Sequence, residues 1–222
     1  MNKNFLHMLR YKEDIITFLL VVITFLLFVF TPGKETLGSA VQGFILALIF
    51  FGFLPLGYHF FVLRKKREDF GFGKEVWNKG TWLIAPAVLI ALSLSSLIFF
   101  LFPAFQEAVM LPSAIQESFP LFVTYELLLV PMLALLYEIF FRGLIQKIWL
   151  QKHWSYWAIF AQSGIFILFL LMTGSLGWNA LPFILFSFFS GFLVWKNNAL
   201  LQAWVASWLY LFFFDIFVLI MR

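Results

Sequence analysis

The stretch LFVTYELLLVPMLALLYEIFFRGLIQKIWL, residues 121–150, decides the fold. It is long enough for a helix to cross the roughly 30 Å hydrocarbon core of a bilayer, which takes about 20 apolar residues. Its second half is interrupted by Glu138, Arg142 and Lys147. A soluble protein would have to hide such a run behind a polar surface. This chain lacks the residues to build one: of its 222 residues 63% are hydrophobic and only 12% charged, with a mean hydropathy of +0.97. Soluble domains are about 45–50% apolar and about 25% charged. Lipid is therefore the solvent. Composition disfavours soluble enzymes, disordered regulators, secreted disulfide scaffolds and nucleic-acid-binding domains, and no nucleic-acid partner is expected. There is no cysteine, hence no disulfide, no thiolate nucleophile and no cysteine-ligated metal.

Working outward, apolar runs at residues 15–31, 37–63, 81–102, 121–150, 155–172, 180–195 and 200–221 predict an all-α, polytopic helical bundle of about seven spans, forming a single membrane domain over residues 1–222. The first run stops at Pro32-Gly33 and is followed by Lys34-Glu35 rather than a small-residue cleavage site, so it reads as a retained span. Pro55 is positioned to kink the second span. With this span count the basic residues segregate. Lys3, Arg10 and Lys12, then Arg64, Lys65, Lys66, Arg67, Lys74 and Lys79, then Arg142, Lys147 and Lys152, and finally Lys196 all fall on one side. Only Lys34 and Arg222 fall on the other. By the positive-inside rule the N-terminus is cytoplasmic and the C-terminus external. Trp77, Trp82, Trp149, Trp154, Trp157 and Trp195 lie near the cytoplasmic boundary, as an aromatic belt would. The run Arg64–Arg67 reads as a topology determinant before it reads as an anionic-lipid site. The external connection carrying Glu107 and Glu117 reads as a solvated linker.

Ionisable groups inside spans cost about 2.5–3.5 kcal/mol each on insertion scales and call for partners. They are His59, Glu126, Glu138, Arg142 and Asp215, while Lys147 can snorkel to the surface. Glu138 and Arg142 are spaced i, i+4 and share a helix face, which predicts an ion pair. His59 and Asp215 are each expected to bond a neighbouring helix. Glu126 and Asp215 both sit in the external half, where a contact between them is open. Small residues at Ala91, Ser93, Ser95 and Ser96 and at Ser163 and Gly164 offer close helix contacts. No zinc-binding His-Glu-x-x-His, nucleophile elbow or phosphate loop is present, and His7, His59 and His153 share no helix. Neither a metal nor a cofactor is expected.

Tyr137-Glu138-Ile139-Phe140-Phe141-Arg142-Gly143 resembles the first motif, Glu-Glu-x-x-x-Arg, of the CPBP family of intramembrane proteases. This is the CAAX-protease and bacteriocin-processing, or Abi, family. The family's Phe-x-x-x-His motif is similar to Phe166–Leu170, with Leu170 at the histidine position. Its His-x-x-x-Asn/Asp motif falls at Ser207 and Leu211. The resemblance covers residues 121–211 and implies a CPBP/Abi-like core. At about 1.5 Å per residue, Tyr137 and Leu170 each lie about 20 Å from the cytoplasmic ends of their spans, at one level. In the family a glutamate activates water while the histidines and Asn assist. Here the phenol of Tyr137 stays protonated at neutral pH and is a poor base. Leu170 and Leu211 neither donate nor accept, and Ser207 donates but is no base by itself.

These losses point to a pseudoenzyme. The expected function is a non-catalytic membrane protein that binds a membrane or membrane-tethered protein on its core helices. The resemblance offers scaffold, regulator and bacteriocin-immunity roles for it. An active endopeptidase built on Glu138 is the second reading. A transporter using His59, Glu126 and Asp215 is the third, although no inverted repeat supports it. A bacterial plasma membrane is the expected location.

Overall fold

The computed structural model describes residues 3–30, 37–73, 80–109 and 111–221, with side chains described from Lys12 and, in the second segment, from Gln42 onward. Pro32-Gly33, Lys34, Lys74, Trp77, Lys79 and Arg222 lie outside the described residues, as do the side chains of Lys3, His7 and Arg10. No strand forms among the described residues. Helix α1 spans Lys3–Phe30. Helix α2 opens as Leu37–Ala47 and runs on to Tyr58–Val62; a short α3 follows at Arg67–Phe70. Helix α4 (Ile84–Leu101) is entered through a turn at Thr81–Leu83. Two short helices, α5 (Pro103–Ala108) and α6 (Ser113–Gln116), lead into α7, which is continuous over Phe119–Trp154. Helices α8 (Trp157–Met172), α9 (Leu181–Asn197) and α10 (Leu200–Ile220) complete the bundle.

Among the described residues, six helical segments are long and apolar enough to cross a membrane: Lys12–Phe30, Gln42–Val62, Thr81–Leu101, Phe119–Trp154, Trp178–Asn197 and Leu200–Ile220. The fifth expected span, residues 155–172, is shorter than its apolar run. α7 continues to Trp154, the chain reverses at Ser155 (φ 45°), and α8 begins only at Trp157. Its 16 residues cover about 24 Å. Large apolar side chains such as Leu89, Leu97, Leu128, Phe160 and Leu171 point outward from these helices. In water such a surface would aggregate; in lipid it is the solvated one. The molecule is a polytopic all-α membrane bundle.

The Glu138–Leu150 part of α7 is buried on nearly every face, because it packs against α1, α2, α3, α8, α9 and α10. Two glycines permit that crowding. A Cβ on Gly143 would come within 2.5 Å of the Phe70 ring of α3, and one on Gly191 within 2.9 Å of Gln162 Nε2. Around this hub Phe25, Phe51, Phe140, Phe141 and Phe169 form a closed set of ring contacts.

Lipid offers no water to unpaired backbone groups, so each break in a helix must be closed internally. Pro55 does not end α2: turns of i→i+5 type on either side, Leu54 N–H to Ile49 O and Leu63 N–H to Tyr58 O, accommodate its missing donor. α7 solves the same problem differently. Val130 N–H reaches back to Tyr125 O, so the next bond in the series would run from residue 131 to Glu126 O. Residue 131 is proline and has no N–H. Trp208 Nε1 of α10 donates to Glu126 O instead (2.9 Å), and Trp204 Nε1 donates to Pro131 O (2.8 Å). Ser95 and Tyr210 hydroxyls join α4 to α10 at 2.6 Å. Of the small residues expected at helix contacts, Ala91, Ser95 and Ser163 are buried; Ser93 and Gly164 face outward.

At the basic end, α1 contributes acids. Lys152 lies 3.3 Å from Glu13 and 3.7 Å from Asp14, and His153 lies 2.9 Å from Asp14. Such exposed pairs add little each, but they fix α1 against the end of α7. Trp208→Phe leaves the Glu126 carbonyl without a donor. It should cost about 1–3 kcal/mol, read as a lower melting temperature of the purified protein in detergent. An unchanged melting temperature would contradict the closure described.

Candidate functional site

Glu138 lies mid-way along α7 and is almost fully buried, at 2% exposure. Its carboxylate collects donors from two other helices. Ser207 Oγ of α10 donates to Oε1 at 2.6 Å, and Ser190 Oγ of α9 lies 2.7 Å from both oxygens. Arg142 Nε stands 3.6 Å from Oε2, the ion pair expected from the i, i+4 spacing. Its Nε makes no hydrogen bond, and its guanidinium lies 5.9 Å from the centre of the Phe166 ring. A carboxylate has about four lone-pair sites. Two serine hydroxyls donate to it and a cation faces it, so the carboxylate is held by the bundle itself.

A second polar patch lies beside the first and ties α7 to α8 and α9. Gln146 Nε2 donates to Gly191 O (2.8 Å), while Gln162 Nε2 donates to Ser163 Oγ (2.7 Å) and Ser187 O (3.1 Å). Ser187 Oγ donates to Ser163 Oγ at 2.7 Å.

A cavity of about 480 Å³ opens above Glu138 and runs toward the end of the bundle formed by α5, α6 and the α8–α9 connection. All seven positions assigned from the motif frames line it: Tyr137, Glu138, Arg142, Phe166, Leu170, Ser207 and Leu211. Tyr137 is held by aromatic packing, stacked on Phe141 (5.9 Å, 10°) and edge-on to Phe166 (85°). Leu170 and Leu211 present only hydrocarbon. Asp215 and Tyr125 line the cavity nearer its open end.

The CAAX-protease model described as "Type II CAAX prenyl endopeptidase Rce1-like" matches residues 117–213, from the approach to α7 into α10. Over these residues, fewer than half of the chain, the sequence is similar to the Rce1-like family. The Rce1-like segment contains every motif position that lines the cavity. Neither the curated proteins nor the solved structures contain a match to the chain.

The remaining polar residues divide. Asp215 meets Glu126 across the α7–α10 contact, so the contact left open between these two acids is made. His59 differs from expectation. Its Nε2 bonds Lys66 O (2.9 Å) in its own connection rather than a neighbouring helix, because the chain turns back at Arg64 (φ 50°). It lines a separate recess at the basic end with Lys65, Lys147 and Lys152. Ser190 was missed by the motif frames. The available signal was its place among the few polar residues of an otherwise apolar span, one turn after Ser187. No group of three or more His, Asp or Glu able to hold a metal occurs among the described residues.

If the Glu138–Arg142 pair is structural, Arg142→Ala strands a buried carboxylate. It should cost about 3–5 kcal/mol, whereas Glu138→Gln combined with Arg142→Gln should lose clearly less. Thermal unfolding in detergent separates the two outcomes; equal losses would dismiss the pairing.

Proposed function

We propose that this chain is a non-catalytic Rce1-like membrane protein whose cavity binds a membrane or membrane-tethered protein. The observation that carries the reading is the state of the Glu138 carboxylate. It is occupied by Ser190 and Ser207 and faced by Arg142, while the neighbouring motif positions hold Tyr137, Leu170 and Leu211. Water activation needs a base with a free lone pair near the substrate, and an oxyanion needs aimed donors. The lining offers a packed phenol and hydrocarbon where a protease of this family would carry them. What persists is a mostly apolar cavity between helices, of a size that suits ligand binding. Its position among α7–α10 supports the core helices as the docking surface.

The orientation that follows from the charge bias puts the Arg64–Arg67 end in the cytoplasm of a bacterial cell and the cavity mouth outside. Glu138 itself lines the cavity, and that favours the endopeptidase as a second reading. The two part company in proteoliposomes. Incubated with a prenylated CAAX peptide or a transmembrane peptide, the protein should release no more product than empty liposomes. Cleavage that vanishes on Glu138→Gln would establish the enzyme and end the proposal. A photocrosslinking residue at Leu211 should capture the partner in cells, whereas one at Phe160, on the lipid face, should not.

The absence of native cysteine gives a direct topology test. With the N-terminus cytoplasmic, a membrane-impermeant maleimide should label Ser113→Cys on intact cells and Lys66→Cys only after permeabilisation. The reverse pattern would invert the orientation.

A further inference from the structure

Glu126 is completely buried, and no N–H or O–H group of the described residues donates to either of its carboxyl oxygens. What it meets is another acid, Asp215 of α10. Two facing acids in a membrane protein are costly, and the helix contact does not need them. α7 and α10 are already joined here through Trp208 and the Glu126 backbone carbonyl, not its carboxyl. Asp215 and Tyr125 form part of the cavity wall, and Glu126 interacts with Asp215. The pair is therefore positioned to act on whatever occupies the cavity.

Among the described residues, charge at this end of the molecule has one sign. Residues 80–141 contain no Lys, Arg or His, and neither do residues 154–195 or 197–221, except that Lys34 and Arg222 are assigned to this side by the span count. Glu107 and Glu117 are exposed on the segment that approaches the mouth. A positive group arriving at the mouth meets no competing cation among the described residues of this end; Arg142, at the base of the cavity, already faces Glu138. A calcium or magnesium ion would ask for about six or more oxygen ligands, more than two carboxylates supply. The walls between the pair and the deeper site are hydrocarbon and aromatic, from Val130, Leu133, Phe183 and Phe214. Two carboxylates at the end of an apolar channel suit a cation carried on an apolar stem. Ser175 and Asn179 at the mouth add hydrogen-bonding groups for a peptide backbone.

We propose that Asp215, backed by Glu126, seats a lysine or arginine side chain of a cationic amphipathic partner segment, whose apolar residues fill the cavity toward Tyr137 and Leu211. This rests on the partner-binding reading above and names the partner's chemistry. The seat makes cation recognition a property of the cavity mouth, apart from the Glu138 centre.

The test uses the full chain in zwitterionic lipid nanodiscs and a fluorescent synthetic peptide of alternating Leu and Lys, read by anisotropy. Binding should weaken about tenfold or more on Asp215→Asn and on Glu126→Gln. Replacing the peptide's Lys by Gln should weaken it comparably with the unaltered protein, a comparison that does not depend on how the variants fold. Equal binding of the Lys and Gln peptides, or of wild type and both variants, would overturn the proposal. So would binding of dodecylammonium with the same acid dependence while the peptide fails to bind, since the seat would then serve a cationic lipid. Mass spectrometry of the bound peptide keeps this separate from the non-catalytic reading. An acid-dependent peptide that emerges cleaved would refute that reading and leave the seat standing. An unbound peptide, with Leu211 crosslinking intact, would refute the seat alone.

Discussion

A carboxylate placed in the middle of a lipid-embedded bundle must be neutralised and hydrogen-bonded, or the bundle does not assemble around it. Glu138 meets that demand with one residue from its own helix and two from others. Arg142 supplies charge, Ser190 brings α9 and Ser207 brings α10. Without a hydrophobic driving force between helices in lipid, such contacts and close packing decide which faces meet. The glycines then make sense as consequences. Gly143 lets the ring of Phe70 press against the turn after Arg142, and Gly191 lets Gln146 and Gln162 converge one residue beyond Ser190. A family motif usually described by its chemistry is, in this chain, equally a packing code.

The same accounting extends to the backbone. Proline in a spanning helix leaves a carbonyl without its donor, and here the indole of Trp208 travels in from α10 to supply one. That exchange ties the position of α10 to a local irregularity of α7, so the helix that carries Ser207 is registered twice. It is registered once by the serine on Glu138 and once by the tryptophans on Glu126 and Pro131.

Much of this was legible in the residues. Composition alone demanded a membrane bundle, and the charge pattern located its turns. The i, i+4 spacing of Glu138 and Arg142 foretold their contact, and the motif frames named residues that all reach one cavity. Other features were not readable, for physical reasons. Ser190 is one of two serines in an apolar helix, and nothing in its neighbours distinguishes a serine that bonds a distant carboxylate from one that bonds its own backbone. The length of α8 depended on Ser155 adopting a positive φ, a local geometry that an apolar run does not announce. His59 was expected to bond a neighbouring helix. Its partner is a carbonyl only seven residues away, made reachable by the turn at Arg64.

α8 is about 6 Å shorter than the hydrocarbon slab it borders, taking about 1.5 Å per residue against about 30 Å. It is also one of the helices whose outer face meets lipid, through Trp157, Phe160, Leu168 and Leu171. Lipid responds to a short hydrophobic surface by thinning beside it, at a modest cost per ångström of mismatch. The bundle thus carries an asymmetric dimple in the bilayer along one flank, next to the helix that supplies Phe166 and Leu170 to the cavity wall. A membrane so deformed favours neighbours with matching short spans, so bilayer thickness itself becomes a selector of the company this protein keeps.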